Sequence, residues 1–310
     1  MHQTKEQLSS ATSSLILSHL YEAAGVSRQG FYQWACRAAN APERTPSDIA
    51  LQIANDVRQK YLPGAGAREV YFFIRQKQKL YDSMLIGWGK HRFEALCLAN
   101  GLRIAYRRFV PKTTIRGSFM FPNIIEGIEI CDINQIWVSD ISYLFSCSGK
   151  LIGYATSLID LYSRRLLGLN FSQSMAAEET SKAVIQQAFK WRKNTTFDNL
   201  IFHSDGGRQY IETSFLSTLR KQKIRSSMAD NCFDNAFAEA FNDTLKNHLL
   251  NQFSLNSFSQ LKKHEQFVLK CYNENKPHNS INRLTPLEFE QNILSLKPCQ
   301  RTTLKIKKIE

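Results

Sequence analysis

Hydrophobic and polar positions change their period once along this chain. Up to about residue 105 apolar residues recur at helical spacing; from about 134 they alternate or run in short blocks. "SLILSHLYEAA" (14–24) is apolar at helical spacing, Gly25 follows, and "VSRQGFYQWACR" (26–37) resumes the pattern. Ser27 is a good N-cap, and Phe31, Trp34 and Ala35 fall on one face. Two short helices around a glycine fit a helix-turn-helix, which would expose Arg28, Gln29 and Gln33 on its second helix. An ordinary helical hairpin has the same pattern. After a proline-bearing linker (38–48), helices are predicted over 47–62, 67–80 and 90–100, the last stopping at Gly101.

In the second part, "QIWVSDISYLFS", "LIGYATSLIDL" and "RRLLGLNFS" read as three strands with short turns, an antiparallel meander. A helix (176–194), a strand "NLIFH" (199–203), a helix (212–223), a strand (224–228) and a long helix (234–250) follow. A meander followed by alternating helices and strands indicates an α/β fold, a mixed five-stranded sheet with helical cover.

Composition adds a direction to this outline. The chain has 310 residues, is 43% hydrophobic and carries a formal charge of +13. Residues 1–120 hold 17 Lys/Arg against 8 Asp/Glu, so +9 of the net +13 lies in the helical part. That makes it a candidate phosphate-contacting surface. No stretch is apolar enough to span a membrane and the start lacks a signal-peptide pattern, so a cytoplasmic protein is expected. Seven scattered cysteines without zinc spacing are expected to be reduced and structural.

Three acidic residues fit their surroundings poorly. Asp140 interrupts the apolar strand "IWVSDISYL"; Asp205 ends "NLIFHSD" before Gly206 and Gly207; Glu239 lies in "NAFAEAFNDTL", where helical spacing puts it close to the buried side. Each has a bland explanation: a strand-edge aspartate, a turn aspartate, a helix-surface glutamate. Together they could hold magnesium, a hard ion that takes oxygen ligands, and two such ions support in-line phosphoryl transfer. The two glycines would then leave room for the metal and a DNA backbone. Lys246, seven residues after Glu239, shares its helical face and could grip a phosphate, or be a solvated surface lysine. Arg208 and Gln209 could touch phosphate.

"IWVSDISYL", "LIDLYSRRLLG", "FHSDGGRQY", "NCFDNAFAEAFNDTLK" and "YNENKPHNSINRLTPLEF" resemble, in this order, the DDE core of insertion-sequence transposases of the two-reading-frame kind, which is similar to retroviral integrase. The resemblance is strong over 134–290 and weaker over 20–105. It implies an RNase H-like fold, two Mg2+ (or Mn2+) ions, and cleavage and joining of transposon-end and target DNA by a homo-oligomer, with an upstream-frame product fused or separate. By motif Asp140, Asp205 and Glu239 are the catalytic and metal-binding acids; Lys246 matches the basic residue two turns on. One departure is a short interval of 33 residues between Asp205 and Glu239, the shortening falling at "SMADNCFDN" (227–235). The expected organisation is a helix-turn-helix-like segment (1–40), a helical DNA-binding domain and connector (41–118), the catalytic core (119–252) and a C-terminal extension (253–310). The alternatives are another RNase H-like nuclease and a non-catalytic DNA-binding regulator.

Overall fold

The structure, a computed structural model, describes residues 21–39, 44–76, 85–104, 121–193, 195–229 and 235–306. The N-terminal part is helical: α1 (Arg28–Ala39), α2 (Ser47–Lys60), α3 (Ala67–Gln76) and α4 (Lys90–Ala99). α1 starts where the sequence marks it. Gly30 N donates to Ser27 Oγ at 3.0 Å, and Gly25 takes φ +64 to reverse the chain. Trp34 departs from the expected packed face and is 63% exposed, at the edge of a stripe held by Phe31. Most of the helix expected over 14–24 lies outside the described residues, as do 77–80.

The sheet contains five strands: β2 (Ile136–Phe145), β3 (Leu151–Asp160), β4 (Leu166–Ser172), β5 (Ile201–Ser204) and β6 (Arg225–Met228), in the spatial order β4-β3-β2-β5-β6. β2, β3 and β4 are antiparallel neighbours; β5 joins β2 in parallel and β6 joins β5 in parallel. This is the RNase H-like arrangement. Gly149, at φ +82, closes the first hairpin, with Ser146 N donating to Lys150 O at 2.7 Å. α5 (Ser181–Trp191) carries the chain from β4 to β5; α6 (Arg208–Ile211) and α7 (Thr213–Lys221) carry it to β6. Alternation gives the sheet two buried faces. Trp137, Leu158, Leu167 and Phe202 pack on α5 and α7, while Ile136, Val138, Ala155 and Ile201 face the other way. Gly168 lets α5 close on β4: a Cβ there would sit 2.6 Å from Val184 O.

α8 (Ala236–Asp243) covers that second face, followed by α9 (Phe258–Lys263), α10 (Glu265–Lys270) and α11 (Pro286–Ser295). The helix expected over 234–250 is α-helical only to Asp243. Thr244–Leu249 winds as a π-helix, as does Cys271–Asn275, a widening often found at functional sites. The last residues match no expectation: β7 (Leu304–Lys305) pairs antiparallel with β1 (Glu129–Ile130).

The helical part packs directly against these elements. Glu69 on α3 accepts from Lys276 and faces His248 at 3.7 Å. Burial pushes its carboxyl up, but Lys276 and His248 outweigh burial and hold it at about 2. Arg283 lies 3.7 Å over the Phe72 ring.

A charge cluster under the sheet binds α11 to the core. Asp160, fully buried, accepts from the N–H groups of Asn134 (2.7 Å), Tyr162 (3.0 Å) and Ser163 (3.0 Å). Glu290 on α11 accepts from both ends of the Arg192 guanidinium, from Arg165 (3.1 Å) and from Ser163 Oγ (2.8 Å). Removing one member leaves buried charges without partners. Glu290→Leu is therefore expected to destabilise the fold by ~3–5 kcal/mol in urea denaturation. Lys60→Ala, which removes the exposed ion pair with Asp56, should change it by less than ~0.5 kcal/mol.

Candidate active site

Strand register brings two of the three acids together. In the parallel pair β2–β5, Ser139 lies level with Ser204, so the next residues, Asp140 and Asp205, stand side by side. Alternation puts both on the face that α8 covers. Asp140 is half-buried within its strand; Asp205 is exposed where β5 ends. Gly206 turns the chain at φ +74, and Gly207 N donates to Asp205 Oδ1 at 3.1 Å, an Asx turn. Both glycines are half-buried. A Cβ on Gly206 would meet the Met228 methyl at 2.1 Å, and one on Gly207 the Gln209 amide at 2.3 Å, so side chains of the protein itself occupy the two Cβ directions.

α8 carries the third acid. Its buried stripe is Ala238, Phe241, Asn242 and, into the π-helix, Leu245 and Leu249. Glu239 lies off this stripe and is exposed, contrary to the expectation that it sits near the buried side. The helix is held by Arg164, 4.2 Å over the Phe237 ring, and by Tyr272, edge-on to Phe241 at 5.1 Å. Two buried asparagines, which sequence reasoning passed over, tie it to β2. Asn242 Nδ2 donates to Asp140 Oδ2 at 2.6 Å, and Asn235 Nδ2 donates to Ser139 O at 3.2 Å. The signal was present: positions 235, 238, 242, 245 and 249 form an apolar helical stripe interrupted by two amides.

Electrostatics couple the group. Burial raises the Asp140 carboxyl to about 7; the Asp205 and Glu239 carboxylates add to the rise, while the Ile141 N–H and Lys246 oppose it. Asp205 and Glu239 are raised by lost hydration, for Asp205 against the favourable Gly207 N–H. Burial lowers Lys246, opposed by Asp140 and Asp243. Lys246 lies in the π-helix, half-buried, and its charge is felt by Asp140. Tyr210, on α6, props the sheet from the opposite face, its hydroxyl 2.9 Å from Ser139 Oγ.

A buried carboxylate raised further by two neighbouring acids suits a hard divalent cation, which needs oxygen donors and charge. Among the described residues, no three His, Cys, Asp or Glu side chains are already gathered closely enough to hold one. Of the other candidates, Arg208 is exposed one turn past Asp205, and Arg28 and Gln29 are exposed on α1. Gln209 is not presented to DNA: the α6 turn buries it against Gly207. Residues 230–234 of the shortened interval lie outside the described residues. No described helix is long and apolar enough to cross a membrane.

Residues 133–231 and 215–286 match two family descriptions, both Integrase core domain. A 31 kDa protein of insertion element IS600 from Shigella sonnei is 26% identical over 86% of this chain and 96% of its own length. The transposase InsF for insertion sequence IS3A of Escherichia coli is 27% identical over 87% of this chain and 92% of its own. The catalytic core of HTLV-2 integrase, solved with magnesium, aligns with 54% of this chain and 99% of that one at 17% identity and a TM-score of 0.40.

The raised Asp140 carboxyl gives a pH signature. Below its ordinary 3.8 it is protonated in folded and unfolded chains alike. As pH rises through 7 the unfolded chain ionises first, so stability falls. Asp140→Asn is expected to stabilise the metal-free protein at pH 8 by at most ~4 kcal/mol, with the gain vanishing near pH 4. Urea denaturation in EDTA at both pH values checks this, and adding Mg2+ at pH 8 should favour the wild type.

Proposed function

The chain belongs to the insertion-sequence transposases with an integrase-type catalytic core, and we propose that Asp140, Asp205 and Glu239 are the carboxylates with which it cuts and joins DNA. The register of β2 and β5 carries this reading, because it sets Asp140 and Asp205 level on one face beneath the helix that bears Glu239. The three would hold two Mg2+ or Mn2+ ions. When bound, such ions activate the attacking oxygen and stabilise the leaving oxygen of an in-line phosphoryl transfer. Around them Asn242 orients Asp140, and Lys246 brings positive charge to the phosphate flanking the reacting bond.

Glu239, exposed on the first turn of α8, would complete the site by turning toward the two aspartates when the cation is held. Arg208 at the site and Arg28 and Gln29 on α1 contact phosphate, and the basic residues of 1–118 hold the element's ends. The core over 119–252 and the extension over 253–310 form the catalytic body. Joining needs two DNA ends, so the chain works on DNA as a homo-oligomer, with or without an upstream-frame product. It does so in the bacterial cytoplasm, at the nucleoid.

The test is cleavage of oligonucleotides carrying the element's ends, with Mg2+. Asp140→Asn, Asp205→Asn and Glu239→Gln should each slow nicking by ~10³-fold or more, while DNA binding persists and weakens with salt. Unimpaired nicking in all three overturns the assignment. Binding without cleavage by the wild type under any divalent metal points to a regulator.

A further inference from the structure

Asn242 is 8% exposed among Ala238, Phe241 and Leu245, a setting in which an amide is expensive unless both its ends are bonded. Only one end is. Nδ2 donates to Asp140 Oδ2 at 2.6 Å, and Oδ1 has no partner among the described residues. The unpartnered oxygen belongs to the same amide that holds the Asp140 carboxylate. Once Asp140 is ionised the orientation follows from chemistry: a carboxylate only accepts, so the NH2 end faces it.

The same condition recurs around Asp140. Ser157 stands directly opposite it on β3, buried, with Oγ unpartnered. Asn235, 4% exposed, spends Nδ2 on Ser139 O and keeps Oδ1 unpartnered. Native interiors leave few buried polar atoms unsatisfied, and here one lies on the amide that bonds Asp140, one on the β3 residue paired with Asp140, and one on the amide that bonds the preceding carbonyl. Packing does not ask for the two amides, since an apolar side chain would fill the stripe of α8 equally well.

We propose that Asn242 is a positioning residue of the acidic site: it holds one Asp140 oxygen so that the other meets the cation, and its amide oxygen accepts a hydrogen bond from cation-bound water. This rests on the reading of Asp140 as a cation ligand. Partners of this kind fix the direction of a ligand, and losing them weakens metal affinity about 10–100-fold.

Asn242→Leu keeps the volume and removes both polar ends. Mn2+ affinity of the full-length protein, followed by the electron paramagnetic resonance of free Mn2+, should fall about 10–100-fold. Half-saturation of nicking by Mg2+ should rise by the same factor, and the melting temperature in EDTA should not fall. Asn242→Ser, which retains a small donor and acceptor, should lie between Asn242→Leu and wild type and serves if the leucine variant misfolds. Asp140→Asn separates the two levels of the proposal. If it removes Mn2+ binding while Asn242→Leu and Asn242→Ser bind as wild type, the role of Asn242 is refuted and the site stands. If Asp140→Asn itself binds Mn2+ as wild type, the reading of the site fails first.

Discussion

The parallel pairing of β2 with β5 places two carboxylates at the same level on one face of a sheet, and much of the surrounding structure answers that repulsion. Neither strand can slip by one residue, because a slip would turn Asp140 into the Trp137 core and Val138 out of the opposite one. Burial and two neighbouring acids push the Asp140 carboxyl up to about 7. Hydrogen-bond donors arrive from both sides: the Asn242 amide at one carboxylate and the Gly207 N–H at the other. Lys246 supplies an opposing charge. In metal-free protein this is a strained arrangement of charge, and it is the condition that makes a divalent cation welcome.

Much of this could be read from the chain. The change of hydrophobic period near residue 134 separates helices from strands, and the meander followed by alternating elements leads to the mixed sheet. Asp140 stands out because a charge in an apolar strand has few bland uses, and Asp205 because it ends one. Their adjacency was not legible, since it depends on pairing strands more than sixty residues apart. Glu239 was misplaced for a local reason: alanines on both sides make an exposed position look buried. The π-helix was invisible because its residues are ordinary helix formers; Leu245 and Leu249 are both buried in it. The glycines after Asp205 were identified correctly as a turn, but which atoms use the space beside them depends on Met228, a whole helix later.

The helical part and the catalytic sheet are joined by polar contacts at close quarters. Glu69 meets His248 and Lys276, and Gly64 can have no side chain because the backbone of His248 occupies that place. His248 lies in the same π-helix as Lys246. A displacement of α3 is therefore felt directly in the segment that carries the site's basic residue, without passing through the sheet.

The cluster of Asp160, Arg165, Arg192 and Glu290 has a consequence in time. Its arginines lie on β4's approach and at the end of α5, whereas the carboxylate that satisfies them is about a hundred residues further along the chain. During synthesis the strands emerge first, and at ~5–20 residues per second the wait for Glu290 lasts about 5–25 seconds. Until then the sheet must either remain open at this corner or bury two guanidinium groups with Asp160 alone. Translation itself thus sets the earliest moment at which the core can close.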